Sequence, residues 1–185
     1  MLYQIIFLLL EVIASVLGGA CLLRLYMQHQ RIPMSARSGN PLGRFVFALT
    51  DWLVLPLRRV IPALGRWDMA SLVACFLLEL LQFSLLWLLG SGGNYNLVLI
   101  LAGFGVIRLA ISTLTGLIIL YAILSWVQTQ SVLSDAIERL CAPPLLPIRR
   151  VLPLVGGVDL SPLVLLLLLQ IAAILLGGLQ ASVLM

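Results

Sequence analysis

The sequence predicts an all-α integral membrane protein: four transmembrane helices forming two parallel repeats, each a helix, an amphipathic hairpin and a second helix. Three observations predict it. The chain of 185 residues is 62% hydrophobic and 10% charged, with a mean hydropathy of +1.17, whereas about a quarter of a soluble domain is charged. Four windows, 2–25, 69–89, 97–127 and 162–184, are apolar over the roughly 20 residues that a bilayer crossing requires. Finally, Pro56-Leu57-Arg58-Arg59-Val60-Ile61-Pro62 returns 91 positions later as Pro147-Ile148-Arg149-Arg150-Val151-Leu152-Pro153, and the match continues without a gap through Gly65/Gly156 and Asp68/Asp159. The duplication divides the chain into units 1–90 and 97–185, with connectors at about 40–66 and 131–159.

The first span could be mistaken for a cleaved signal, because Leu17-Gly18-Gly19-Ala20-Cys21 faintly resembles a lipoprotein cleavage site. No basic residue precedes the apolar stretch and Glu11 interrupts it, so a retained helix is expected. In the first connector Leu42, Phe45, Val46, Leu49, Trp52 and Leu53 recur at helical spacing, with Asn40 placed as N-cap and Pro41 at the first helical position. In the second, Val132, Leu133, Ala136, Ile137, Leu140 and Cys141 share one face, and Ser134, Asp135, Glu138 and Arg139 the other. Both helices are too short to span, so each is expected to lie in the membrane interface or to dip in and return, with its apolar face toward the acyl chains. Pro56 and Pro147 are expected to end them. Asp68, and Asp159 or Ser161 with Pro162 behind it, are placed to cap the returning spans.

All eleven basic residues are arginine, a set suited to anchoring and bidentate phosphate contact and equally to GC-rich codon usage. Arg24, Arg31, Arg37, Arg44, Arg58, Arg59 and Arg66 fall in or beside the first connector, and Arg139, Arg149 and Arg150 in the second. The loop 90–96 has none. The positive-inside rule therefore predicts cytoplasmic connectors and outward termini. An even number of spans per unit makes the halves parallel, related by an axis along the membrane normal. Trp52, Trp67 and Trp126 fall near one boundary and Trp87 and Tyr95 near the other, as in an aromatic belt.

Glu11, Glu79 and Arg108 lie inside predicted spans. A charge near the bilayer centre costs on the order of 2.5 to 3.5 kcal/mol, so the three are expected to pair or to face a wet cleft. They read either as a structural staple or as stations on an ion path. An alignment of span one with span three at an offset of 97 pairs Ser15 with Ser112 and Gly19 with Gly116, and sets Glu11 against Arg108. The arginine pairs Arg58-Arg59 and Arg149-Arg150 read as anchors to anionic headgroups, at about 1 kcal/mol each, or as forks presented to a phosphate, carboxylate or acidic partner.

Cys21, Cys75 and Cys141 lack C-x-x-C spacing and His29 is alone, so no cofactor or metal site is expected. No hydroxyl–histidine pair, carboxylate dyad or phosphate loop points to an enzyme. Nucleic-acid binding is not expected, because topology accounts for the basic residues.

The pattern Asn40-Pro41, Thr50, Pro56 to Pro62, Gly65 and Asp68, echoed by Pro147 to Pro153, Gly156-Gly157 and Asp159-Leu160-Ser161-Pro162, resembles the YggT family of bacterial inner-membrane proteins, in its form with two tandem units. The resemblance covers nearly the whole chain. It implies an inner-membrane location and an association with osmotic-stress tolerance through ion uptake, with cell division or shape, and, in plastid and cyanobacterial relatives, with cofactor assembly or membrane organisation. A single histidine gives cofactor assembly little support. Two functions remain. One is a membrane-organising scaffold that grips the bilayer, anionic headgroups or a protein partner through the arginine pairs. The other is potassium or proton movement, for which a four-helix chain would need to form a homo-oligomer.

Overall fold

A computed structural model describes residues 2–34, 39–62, 65, 67–90, 95–127, 131–152 and 159–184. Its described residues form six helices: α1 (Leu2–His29), α2 (Pro41–Val60), α3 (Met69–Gly90), α4 (Asn96–Val127), α5 (Val132–Val151) and α6 (Ser161–Leu184). Four of them, α1, α3, α4 and α6, are long and apolar enough to cross a membrane. With its 32 residues, α4 runs to about 48 Å at 1.5 Å per residue, well past a hydrocarbon core of about 30 Å.

The connector helices start as local chemistry dictates. Asn40 caps α2, its Oδ1 accepting from the Leu42 N–H at 3.1 Å, and Pro41 takes the first turn, where no N–H is needed. Ser131, 91 positions on, caps α5 by accepting from the Ser134 N–H at 3.1 Å. Gly65 adopts φ +63°, a left-handed conformation in which any side chain would be strained.

Two expectations need correction. Pro56 lies inside α2, and Pro143, Pro144 and Pro147 lie inside α5, so neither helix ends at its proline. Both continue to the valine after the arginine pair, where the Ile61 N–H bonds to the Leu57 carbonyl at 2.8 Å and the Leu152 N–H to the Ile148 carbonyl at 2.9 Å. Proline removes one ladder bond, and burial of the same helix against the bundle offsets that loss. The second correction concerns the apolar faces, whose central stripes pack on protein. Gly43, Val46, Thr50 and Val54 of α2 and Ala136, Ile137, Leu140, Cys141 and Leu145 of α5 are buried. Ile137, Leu140 and Leu145 join Met27, Val46, Ile118 and Leu165 in the larger core. A smaller core joins Cys21, Val54, Ala70, Ala74, Cys75 and Leu109.

The connector helices thus roof the bundle and touch each other. Below them α1, α3 and α4 pack mutually, while α6 packs on α4 and α5 and has no comparable packing on α1 among the described residues. Burial is therefore concentrated at the connector end.

Candidate functional site

At the connector end both repeats build the same device. The first arginine of each pair turns back to the aspartate ten residues later, at the foot of the returning span. Arg58 places Nε 3.3 Å from Asp68 Oδ1, with Nη2 on Oδ2, and also donates from Nη2 to Gln28 Oε1 at 2.9 Å. Arg149 donates from Nε to Asp159 Oδ2 at 2.8 Å and from Nη2 to the Tyr121 hydroxyl at 2.7 Å. Each bond holds the last turn of a connector helix to the start of a span and the end of the preceding one. Such charge-assisted bonds are stronger than neutral ones.

The first repeat adds a buried arginine. Arg24 of α1 is 1% exposed. Its Nη1 donates to Thr50 Oγ1 and Asp51 Oδ1 of α2, both at 2.7 Å, and its Nε lies 3.8 Å from Asp68 Oδ2. The guanidinium also sits 4.7 Å from the Phe47 ring centroid, within cation–π range. Ser71 completes the shell by donating its hydroxyl to Asp68 Oδ2 at 2.8 Å. A carboxylate buried this deeply loses its hydration, and burial alone would raise its pKa. Hydrogen bonds from Arg58 and Ser71, with the charges of Arg58 and Arg24, outweigh burial and hold Asp68 below the usual carboxylate range. Asp159 is lowered in the same way against burial, by the Ser161 N–H and by Arg149. Asp159 Oδ1 also accepts from the Ser161 N–H, the first of α6, at 2.9 Å.

The sequence did not single out Arg24 or Tyr121. Arg24 looked like one more topology-setting charge, yet the offset of 97 that pairs Glu11 with Arg108 also pairs Arg24 with Tyr121. Both reach the Arg–Asp pair of their own repeat. At an offset of 91, Thr50 and Asp51 become Cys141 and Ala142, so the second repeat lacks the partners a buried arginine would need. Cys141 instead donates weakly to the Leu117 carbonyl at 3.5 Å, and burial pushes its thiol up to about 12.

The two arginines of each pair separate. Arg58 and Arg149 are tied down, whereas Arg59 and Arg150 are exposed and form no ion pair among the described residues. Beside them lie matched exposed apolar side chains: Leu55 and Leu146, each 49% exposed, and Val60 and Val151, at 80% and 81%. Phe45 and Trp52 continue this outer face on α2. Pro62 is exposed, and Pro153 and Gly156 lie outside the described residues.

The intramembrane charges gather only in part. Glu79 is 1% exposed, and its Oε2 is buried without a hydrogen-bond partner. Its carboxyl lies so close to Gly105 of α4 that an added Cβ there would collide with it. Arg108 and Glu11 stand within electrostatic reach of Glu79, but none of the three forms an ion pair with another among the described residues. The carboxyl is buried by helix packing, whereas Arg108 is exposed.

A roofing helix pinned by an arginine–aspartate bond onto a helical hairpin, twice in one chain, defines a multi-pass membrane protein built from tandem helical repeats. Comparison with known proteins refines that class. The chain belongs to the CCB3/YggT family, whose model matches residues 3–89 and again 100–180. It is 36% identical to the uncharacterized protein in the proC 3′ region of Vibrio alginolyticus, over 84% of this chain and 84% of that one. It is 34% identical to the uncharacterized protein YggT of Escherichia coli K12, over 88% of this chain and 84% of that one. No solved structure matches it.

Proposed function

We propose that this protein is a non-enzymatic scaffold of the bacterial inner membrane, with its connectors cytoplasmic, that organises anionic lipid beneath two rigid helices. The observation that carries the reading is the division of labour within each arginine pair. Arg58 and Arg149 spend their hydrogen bonds on Asp68 and Asp159, which leaves Arg59 and Arg150 projecting from a pinned helix end. Each projecting guanidinium stands beside exposed Leu and Val side chains, an arrangement that suits a phosphate at headgroup depth with apolar contact just below it. A link to envelope or stress physiology follows from such an organising role.

A second reading, potassium or proton movement, has one observation in its favour, the buried Glu79 carboxyl with an unpartnered oxygen.

One reconstitution separates the two. The full chain is placed in phosphatidylethanolamine–phosphatidylglycerol liposomes, and retained phosphatidylglycerol and ion flux are both measured. The scaffold reading expects flux no higher than in empty liposomes and a roughly tenfold or greater loss of retained phosphatidylglycerol in the Arg59→Ala plus Arg150→Ala variant, at about 1 kcal/mol per arginine. Flux that disappears in Glu79→Gln, with lipid retention indifferent to the arginines, would sink it and establish transport.

A further inference from the structure

Within the chain, the return span of the first repeat is received by the second repeat. Glu79 of α3 lies against Gly105 of α4, in the middle of a stripe at helical spacing whose other members, Val98, Ala102 and Leu109, are 3%, 0% and 5% exposed. Among the described residues the return span of the second repeat has no comparable packing on α1. At the offset of 91 that carries Arg58-Arg59 onto Arg149-Arg150, Glu79 becomes Gln170, and Gln170 is exposed in the middle of a helix that reads as membrane-spanning.

The surface that would receive it is also bare. The two family segments begin at residues 3 and 100, an offset of 97 that carries α1 onto α4. Ala102, Gly105 and Leu109 then correspond to Ile5, Leu8 and Val12, which are 59%, 59% and 52% exposed. A shift of one helical turn changes nothing, because Leu9 and Val16 are each 52% exposed as well. One molecule thus displays both halves of an interface that it forms only once internally.

We propose that α6 of one copy packs along α1 of a second copy, as α3 packs along α4 within the chain, so that copies of this protein join head to tail. Acyl chains would cover the apolar parts of both faces but give the Gln170 carboxamide nothing to bond, whereas polar side chains between membrane helices act as glue. The neighbour that the repeat supplies for Gln170 is Glu11. It holds on α1 the place that Arg108 holds on α4, and Arg108 stands within electrostatic reach of Glu79. Leu163, Leu167 and Ile174, at 64%, 58% and 65% exposure, share the Gln170 side of α6 by helical spacing and supply the apolar contact. Because the two surfaces differ, the contact is heterologous, and copies close into a ring when the turn between them divides a circle.

The test co-expresses two differently tagged full-length chains, one Leu8→Cys and the other Gln170→Cys, and oxidises them in native membranes, with the parent chain reporting any background from its own cysteines. The inference expects a cross-linked pair carrying both tags at least tenfold above that from either variant alone. Native mass spectrometry of the unsubstituted protein in mild detergent is expected to give more than one chain per particle, and Gln170→Leu to weaken that association roughly three- to tenfold. Equal cross-linking in Gln170→Cys alone would mean that α6 pairs with α6, and a single chain per particle would mean no assembly; either overturns the inference. It does not depend on the scaffold reading, since loss of phosphatidylglycerol retention leaves the stoichiometry untouched.

Discussion

The two repeats pin their connector helices with the same bond in different surroundings. In the first, the Asp68 side chain is fully buried and is shared by the buried Arg24, by Ser71 and by Arg58, whose own side chain is 36% exposed. In the second, the Asp159 side chain is 28% exposed, Arg149 is 32% exposed, and an uncharged Tyr121 stands where the first repeat has Arg24. The first centres on a buried carboxylate and a buried guanidinium, Asp68 and Arg24, with Arg58 and Asp51 at its solvated rim. The second is a half-solvated pair that water can partly replace. Duplication has preserved the geometry while its energetic weight has diverged, and the physical reason is dielectric: a charge left alone in the interior is far more costly than one left beside water.

Removing the carboxylate from each repeat gives the largest expected contrast. Asp68→Asn leaves the buried Arg24 with Asp51 as its remaining counter-charge and Arg58 with none among the described residues, at a cost of about 3 kcal/mol, whereas Asp159→Asn is expected to cost about 1 kcal/mol. Thermal unfolding of the two variants in the same detergent measures this, and equal losses would mean that the two surroundings are energetically alike. A change at the α3–α4 contact comes next. Gly105→Ala drives a methyl into the Glu79 carboxyl and is expected to cost about 1 to 3 kcal/mol, while Gly116→Ala on the same helix meets open space and is expected to be neutral or slightly stabilising. If both were tolerated, α3 and α4 would not be tightly apposed.

Acid sharpens the comparison with the smallest effect. Both aspartates are held below their ordinary value of 3.8 in the folded protein. The stability they contribute is therefore fully present above about pH 5 and is lost as the pH falls through their folded values. Unfolding followed between pH 6 and 3 should show a steeper acid loss for the wild type than for Asp68→Asn, with Asp159→Asn in between. Coincident curves would remove the first network from the acid response.

Much of this was legible in the sequence because membrane solvation and helix capping act locally. The four spans, the cap at Asn40 with Pro41 behind it, and the repeat of the arginine pair needed only residue type and spacing. The prolines misled for a tertiary reason: Pro56 and Pro147 weaken a helix locally, and packing of the same helices on the bundle outweighs the lost bond. Arg24 was missed because an arginine near the end of a span has the same sequence signature whether it sets topology or fills a buried site. Only the approach of Thr50, Asp51 and Asp68 distinguishes the two.

By itself, the sequence determined that the chain is a duplicated, four-span helical protein, since hydrophobic length and a gapless repeat are properties of the chain alone. The tertiary structure decided which arginine of each pair is tied down and which is presented, that the connector helices roof the bundle, and that among the described residues α6 has no packing on α1 comparable to that of α3 on α4. Those outcomes depend on which distant groups share a low-dielectric pocket, and sequence separation carries no information about that distance.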